Sequence, residues 1–218
     1  MEYGKRALKK VKWLNSLAIT AVFCLLMFQS GSSVQPNRAS SVSTEEWSTG
    51  SFPELNPELF QSGDVILRRG RSLVSALISR SFPQGQQMSH CGILISEHGS
   101  WKVIHSISGR IDKRDGIRID TLADFLSQAR PGMALHISPG FEVDRELLVD
   151  RAKHYLALQS PFDHDYDLND SEKLYCTELV RAVYLDAGAQ DVFRLIHLAG
   201  KDLVDIAGFF DEQYWQQN

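Results

Sequence analysis

Cysteine is scarce in this chain, with Cys24, Cys91 and Cys176 the only three in 218 residues. So few thiols exclude a small scaffold held by disulfides. Long apolar runs are missing as well: the longest uncharged apolar stretch, "LAITAVFCLLMF" from Leu17 to Phe28, falls short of the roughly 20 residues a membrane span needs. Positive charge is thin beyond the N-terminus. The first twelve residues hold five of the 23 Lys and Arg and one of the 27 Asp and Glu, so the remainder carries a net charge of −8. An acidic domain does not favour phosphate backbones, which excludes nucleic acid as a partner. No internal repeat and no low-complexity tract is present.

The N-terminus does have a pattern. Lys5, Arg6, Lys9, Lys10 and Lys12 precede the apolar stretch, and small polar residues follow it near Ser30 to Ser33. Basic, apolar, then small is the order of a secretory signal. Extended by Trp13 and Leu14, the same segment also reads as an uncleaved anchor with its basic end in the cytoplasm. Phe23 stands where a lipoprotein needs a small residue before Cys24, which excludes lipidation. The expected organisation is a signal peptide or membrane anchor over residues 1–30, a flexible linker over 31–58 and one folded domain over 59–218. Export to the periplasm or cell envelope follows, with membrane proximity if the segment is kept. In an oxidising compartment Cys91 and Cys176 could form one disulfide.

Within the domain, "GDVILRRG" reads as a turn and a short strand, and "RSLVSALISRSF" as an amphipathic helix ending before Pro83. "SHCGILIS" and "WKVIHSIS", joined by "EHGS", predict a β-hairpin. "GIRIDTL" supplies a strand, "LADFLSQAR" a short helix stopped by Pro131 and Gly132, and "MALHIS" another strand. "EVDRELLVDRAKHYLALQ" has helical apolar spacing, and "CTELVRAVYLDAG" a helix closed by Gly188. Weaker helical signals lie around Lys201 to Ala207. The order predicts an α+β domain, a small antiparallel sheet covered by helices on one side.

Cys176 opens a helix, where unsatisfied N–H groups and the helix dipole favour a thiolate, although a cysteine there can equally be packing. A nucleophilic thiol needs a base, and the hairpin offers His90 and His105. Alternation puts His90, Gly92 and Leu94 on one face, Cys91, Ile93 and Ile95 on the other, and Val103, His105 and Ile107 together. The hairpin can therefore lay the two imidazoles side by side, one to take the thiol proton and one to orient it. The same three residues are also zinc ligands in kind, and a non-catalytic binding protein with a Cys91–Cys176 bridge is a further alternative. Asp163, Asp165, Asp167 and Asp170 lack the glycine and glutamate of a calcium loop and read as a solvated run. His164 within that run belongs to no recognisable pair. Glu178 reads as a helix cap and Asp64 as a turn residue.

Taken in order, "GDVILRRG", "MSHCGILI", "VIHSI" and "LYCTELVRAVYLDAG" resemble the permuted papain-like hydrolases of the NlpC/P60 superfamily, which include the YiiX/YaeF group and the lecithin:retinol acyltransferase group. The resemblance spans roughly Gly63 to Gly188. It implies a permuted papain-like fold in which Cys176 is the nucleophile, His90 the base and His105 the orienting residue. Cys91 departs from the apolar residue of many relatives, and His105 from the glutamate frequent in the YiiX/YaeF group. Tyr166 matches an aromatic in a loop near the active site of relatives and is the candidate for a second oxyanion donor, beside the Cys176 N–H. The implied activity is a cysteine amidase or peptidase acting on cell-wall peptide, with acyl lipid as the other substrate class. No cofactor and no metal is expected.

Overall fold

The structure, a computed structural model, describes residues 55–218 except 82, 110 and 199. The expected signal or anchor segment and most of the expected linker lie outside the described residues. Among the described residues no helix is long and apolar enough to cross a membrane.

Among the described residues eight strands and four helices follow one another as β1 (Val65–Gly70), α1 (Leu73–Ser81), β2 (His90–Glu97), β3 (Ser100–Ile107), β4 (Gly116–Thr121), α2 (Leu122–Ser127), β5 (Ala129–Pro139), α3 (Arg145–Leu158), α4 (Cys176–Asp186), β6 (Leu195–Leu198), β7 (Lys201–Val204) and β8 (Trp215–Gln217). Six strands form one antiparallel sheet in the order β4-β3-β2-β1-β5-β8, and β6 and β7 form a separate hairpin.

Alternation along the central strands decides what each face carries. Val65, Leu67, Cys91, Ile93, Ile95, Ile104 and Ile137 build the larger core with Leu148 and Ala152 of α3 and Leu179, Val180, Val183 and Tyr184 of α4. Ile66, Leu94 and Val103 pack with Phe60 and with Phe125 of α2 in a second core. The sheet is therefore covered on both faces, where one-sided cover was expected. A two-residue turn at His98 and Gly99, both at positive φ (51° and 74°), joins β2 to β3. Such turns match the twist of paired strands, which is why this hairpin is legible in sequence.

Local boundaries follow the capping chemistry. Asp144 accepts the Leu147 N–H at 2.9 Å and starts α3, while Gln159 ends it in the left-handed region. Asp64 is more than a turn residue. Its fully buried carboxylate accepts from the Gln61 N–H at 2.9 Å, Arg145 Nη1 at 2.8 Å and His136 Nε2 at 2.6 Å, tying β1, β5 and α3 together. Burial alone would raise its pKa, but the hydrogen bonds from His136 and Arg145 outweigh that and lower it.

Two expectations need correction. Pro131 and Gly132 do not stop a helix; they lie inside β5, which begins at Ala129 with its register shifted against β1 between Arg68 and Gly70. The segment around Lys201 is the second strand of the β6–β7 hairpin followed by a 3-10 turn over Ile206–Phe210. Pairing across the hairpin overrode the weak helical pattern there.

Candidate active site

The site lies where β2 and β3 part. β2 pairs with β1 down to its first residue, Arg68 against His90, and β3 pairs with β4 as far as Ile107 against Gly116. The ladder between β2 and β3 nevertheless ends at Ile93 against Ile104. Leu94 gives its N–H to β1, at Asp64, so odd-numbered residues of β2 point their N–H groups towards β3. At Cys91 that N–H has no β3 partner in the ladder and instead favours a charged sulfur on Cys176. The start of α4 is wedged into the same opening: Ser106, which would face Cys91 in a continued ladder, donates its hydroxyl to the Leu174 carbonyl at 2.5 Å.

The helix presents the thiol as its sequence suggests. Tyr175 is the N-cap, and its N–H goes to the Glu178 carboxylate at 3.2 Å, so Glu178 is a cap, as expected. Burial pushes the Glu178 pKa up to about 8. The Cys91 thiol and the N–H groups of Cys91 and Thr177 favour a charged sulfur on Cys176. The Cys91 bond is the main reason the Cys176 pKa is lowered, against the opposing effect of burial. Cys91 is raised, chiefly by burial and then by this bond. Both cysteines are free thiols, Cys91 buried and Cys176 half-buried.

The imidazoles sit on the α2 face. His90 Nε2 is 2.8 Å from His105 Nδ1, and His105 Nε2 is 3.1 Å from Asp120 Oδ2. Phe125 stacks on His90 at 5.6 Å and meets His105 edge-on at 5.1 Å. Arg118 holds Asp120 at 2.8 Å through Nη2, reaches Asp112 at 2.8 Å through Nη1, and has Nε 3.4 Å from His105 Nε2. Arg68, opposite His90 on β1, is buried over the Phe125 ring at 4.2 Å, donating to the Phe125 carbonyl and to Gln128 Oε1 at 3.0 Å.

These surroundings keep both rings neutral. His90 is pushed well below the ordinary histidine range by burial, then by Arg68, His105 and Arg118. Burial takes His105 down to about 4 although Asp120 pulls the other way. Asp120 is lowered because His105 and Arg118 outweigh its burial. Burial brings Arg68 down to about 10.

Sequence reasoning named Cys176, His90, His105 and Tyr166. The structure joins His90 to His105 and Cys176 to Cys91, and among the described residues no hydrogen bond links Cys176 to His90. Tyr166 is half-buried at φ 51°, its ring 5.3 Å from Tyr175 and 6.2 Å from Phe162, in the loop before α4. Asp120, Arg118, Arg68 and Phe125 were missed. Alternation in "GIRIDTL" does place Arg118 and Asp120 on one face, but only the pairing of β3 with β4 brings that face to His105. His164 does have a partner, Asp115 at 2.8 Å, 49 positions away. In the acidic run, Asp163 is buried and accepts the N–H groups of Asp165 at 2.8 Å and Asp167 at 2.6 Å, so it shapes its own loop.

Residues 59–203 match the permuted papain-like amidase family, YaeF/YiiX, C92. The chain belongs to this amidase family. Its fold is similar to that of the metalloprotein yiiX from Escherichia coli O157:H7 (DUF1105), with a TM-score of 0.58 and 18% identity over 72% of this chain and 96% of that one. Among curated proteins none matches. The six-stranded sheet with a cysteine helix wedged against it is thus the permuted papain-like fold, and membership in the amidase family points to hydrolysis.

Proposed function

We propose that this amidase is exported and cleaves an amide in cell-wall peptide through a thioester on Cys176, with His90 as base and His105 and Asp120 holding it. The observation that carries the reading is the chain His90–His105–Asp120 ending beside the opening that holds the Cys176 sulfur. An ionised Asp120 only accepts, so His105 carries its hydrogen on Nε2 and offers a lone pair at Nδ1. His90 then donates from Nε2, and its Nδ1 lone pair is left to take a proton.

In the reaction, Cys176 Sγ attacks the carbonyl carbon while its proton passes to His90 Nδ1. The Cys176 N–H stabilises the tetrahedral oxygen, helped by the Tyr166 hydroxyl. Collapse breaks the C–N bond, and the leaving amine takes the proton from His90. Water, deprotonated by the same nitrogen, hydrolyses the thioester and releases a carboxylic acid. Catalytic contacts between thiol and base commonly tighten only with substrate bound, which accommodates the resting arrangement seen here.

A metal does not fit the same residues. His90 and His105 spend facing nitrogens on each other, and among the described residues no three His, Cys, Asp or Glu are grouped to hold an ion.

The cell-wall assignment rests on the export pattern of residues 1–30 together with the amidase family. Purified cell-wall fragments and acyl lipids, each incubated with the protein and followed by mass spectrometry, test it. Amide cleavage lost in Cys176→Ala supports the reading. Turnover of acyl lipid alone would overturn the substrate, and turnover unaffected by Cys176→Ala would overturn the mechanism.

A further inference from the structure

Cys91 is a buried thiol that the proposed hydrolysis does not consume, yet it is bonded to the one sulfur the reaction needs. It lies at the opened end of β2, in the apolar core against which Cys176 of α4 packs. An aliphatic side chain would fill that position without burying a polar atom. The wedge of α4 between β2 and β3 packs Cys176 against the core that holds Cys91, with Ser106 gripping the Leu174 carbonyl where β3 would otherwise face Cys91. Cys91 is buried and Cys176 half-buried, so of the two a small oxidant meets Cys176 first.

We propose that Cys91 is a resolving thiol for Cys176, so that a peroxide closes a reversible Cys91–Cys176 disulfide that switches the site off. In the first step the Cys176 thiolate attacks the peroxide, the O–O bond breaks, and Cys176 becomes a sulfenic acid while one oxygen leaves as water after protonation. In the second, Cys91 sulfur attacks the sulfenic sulfur, the S–O bond breaks, and a second water leaves with the Cys91 proton. Two thiols are oxidised and one peroxide is reduced to two waters. Two thiols from a cellular or added reductant reverse the bond by exchange. The histidine chain on the other face of β2 is untouched, so reduction restores an intact site. Without Cys91 the sulfenic acid loses its neighbouring thiol and goes on to the irreversible sulfinic acid.

The disulfide is tested by mass, independently of activity; only the loss of turnover rests on Cys176 being the nucleophile. The reduced full chain is treated with about two equivalents of hydrogen peroxide, one for each step of the ladder to the sulfinic acid, then denatured, alkylated and mapped by peptide mass. The expected result is a peptide joining Cys91 to Cys176, both resistant to alkylation, with Cys24 still alkylated and the link removed by dithiothreitol. In Cys91→Val and Cys91→Ser, Cys176 should instead gain two oxygens and lose activity beyond rescue by dithiothreitol. Two variants of different polarity, both checked by circular dichroism, separate this outcome from misfolding. The proposal is overturned if wild-type Cys176 reaches the sulfinic state with Cys91 still alkylatable, if the only links formed involve Cys24 or a second chain, or if neither thiol reacts. A disulfide that forms in full but leaves amide turnover intact would spare the pairing and overturn the nucleophile instead.

Discussion

His105 Nε2 lies 3.1 Å from Asp120 Oδ2, and this contact between neighbouring strands selects the nitrogen of His90 that takes the thiol proton in the proposed mechanism. Removing the negative charge frees His105 to take the other tautomer. Asp120→Asn keeps the shape and should lower kcat by about a hundredfold or more with KM little changed, the pattern of a lost tautomer. Steady-state kinetics on a cleaved amide check it, and a kcat within about twofold of wild type would remove Asp120 from the mechanism.

The sulfur of Cys176 takes its depressed pKa first from the Cys91 hydrogen bond and from backbone N–H groups, with His90 neutral. Cys91→Val should therefore shift the midpoint of iodoacetamide labelling of Cys176 upward, towards the ordinary thiol range of about 8.5. His90→Ala should abolish turnover and leave that midpoint in place. An upward shift in His90→Ala equal to that in Cys91→Val would reveal a resting thiolate–imidazolium pair instead.

Gly92 is the close approach that lets β3 bring His105 to His90. A methyl group there would lie 2.5 Å from Val103 Cγ1, 2.9 Å from His105 Cβ and 2.9 Å from the Ile104 carbonyl oxygen. Gly92→Ala should cost about 1–3 kcal/mol in urea unfolding, as overpacking does. It should also lower kcat at temperatures where the variant is fully folded, because His105 Cβ is among the crowded atoms.

Glu178 has its pKa raised by burial to about 8, so the folded state holds a proton that the unfolded state releases above its ordinary value of 4.5. Its contribution to stability is fully present below about pH 4.5 and is lost as pH rises towards 8. Glu178→Gln, neutral throughout and still able to accept the Tyr175 N–H, should raise Tm at about pH 7 and match wild type at about pH 4. A Tm difference independent of pH would show that the carboxyl is not protonated in the fold.

Much of this molecule is local and so legible in the chain. The β2–β3 hairpin announces itself through alternation and a His-Gly turn, α3 through its apolar spacing and Asp144 cap, and α4 through the run that follows Cys176. Alternation alone also puts Cys91 and His90 on opposite sides of one strand. Pro131 and Gly132 misled because neighbouring strands can hold such residues in β5.

What the sequence by itself determined is therefore the element list, the chemistry-bearing residues and their sides of each strand, since these depend on a few consecutive residues and a fixed period. Only the tertiary structure decided where the ladder stops, that the freed N–H of Cys91 favours a charged sulfur on Cys176, and that Asp120 completes the histidine chain. Those facts depend on the register of strands and on a helix arriving from 85 positions further along the chain. No period or spacing within a segment encodes which of its backbone groups the rest of the fold will leave unpaired.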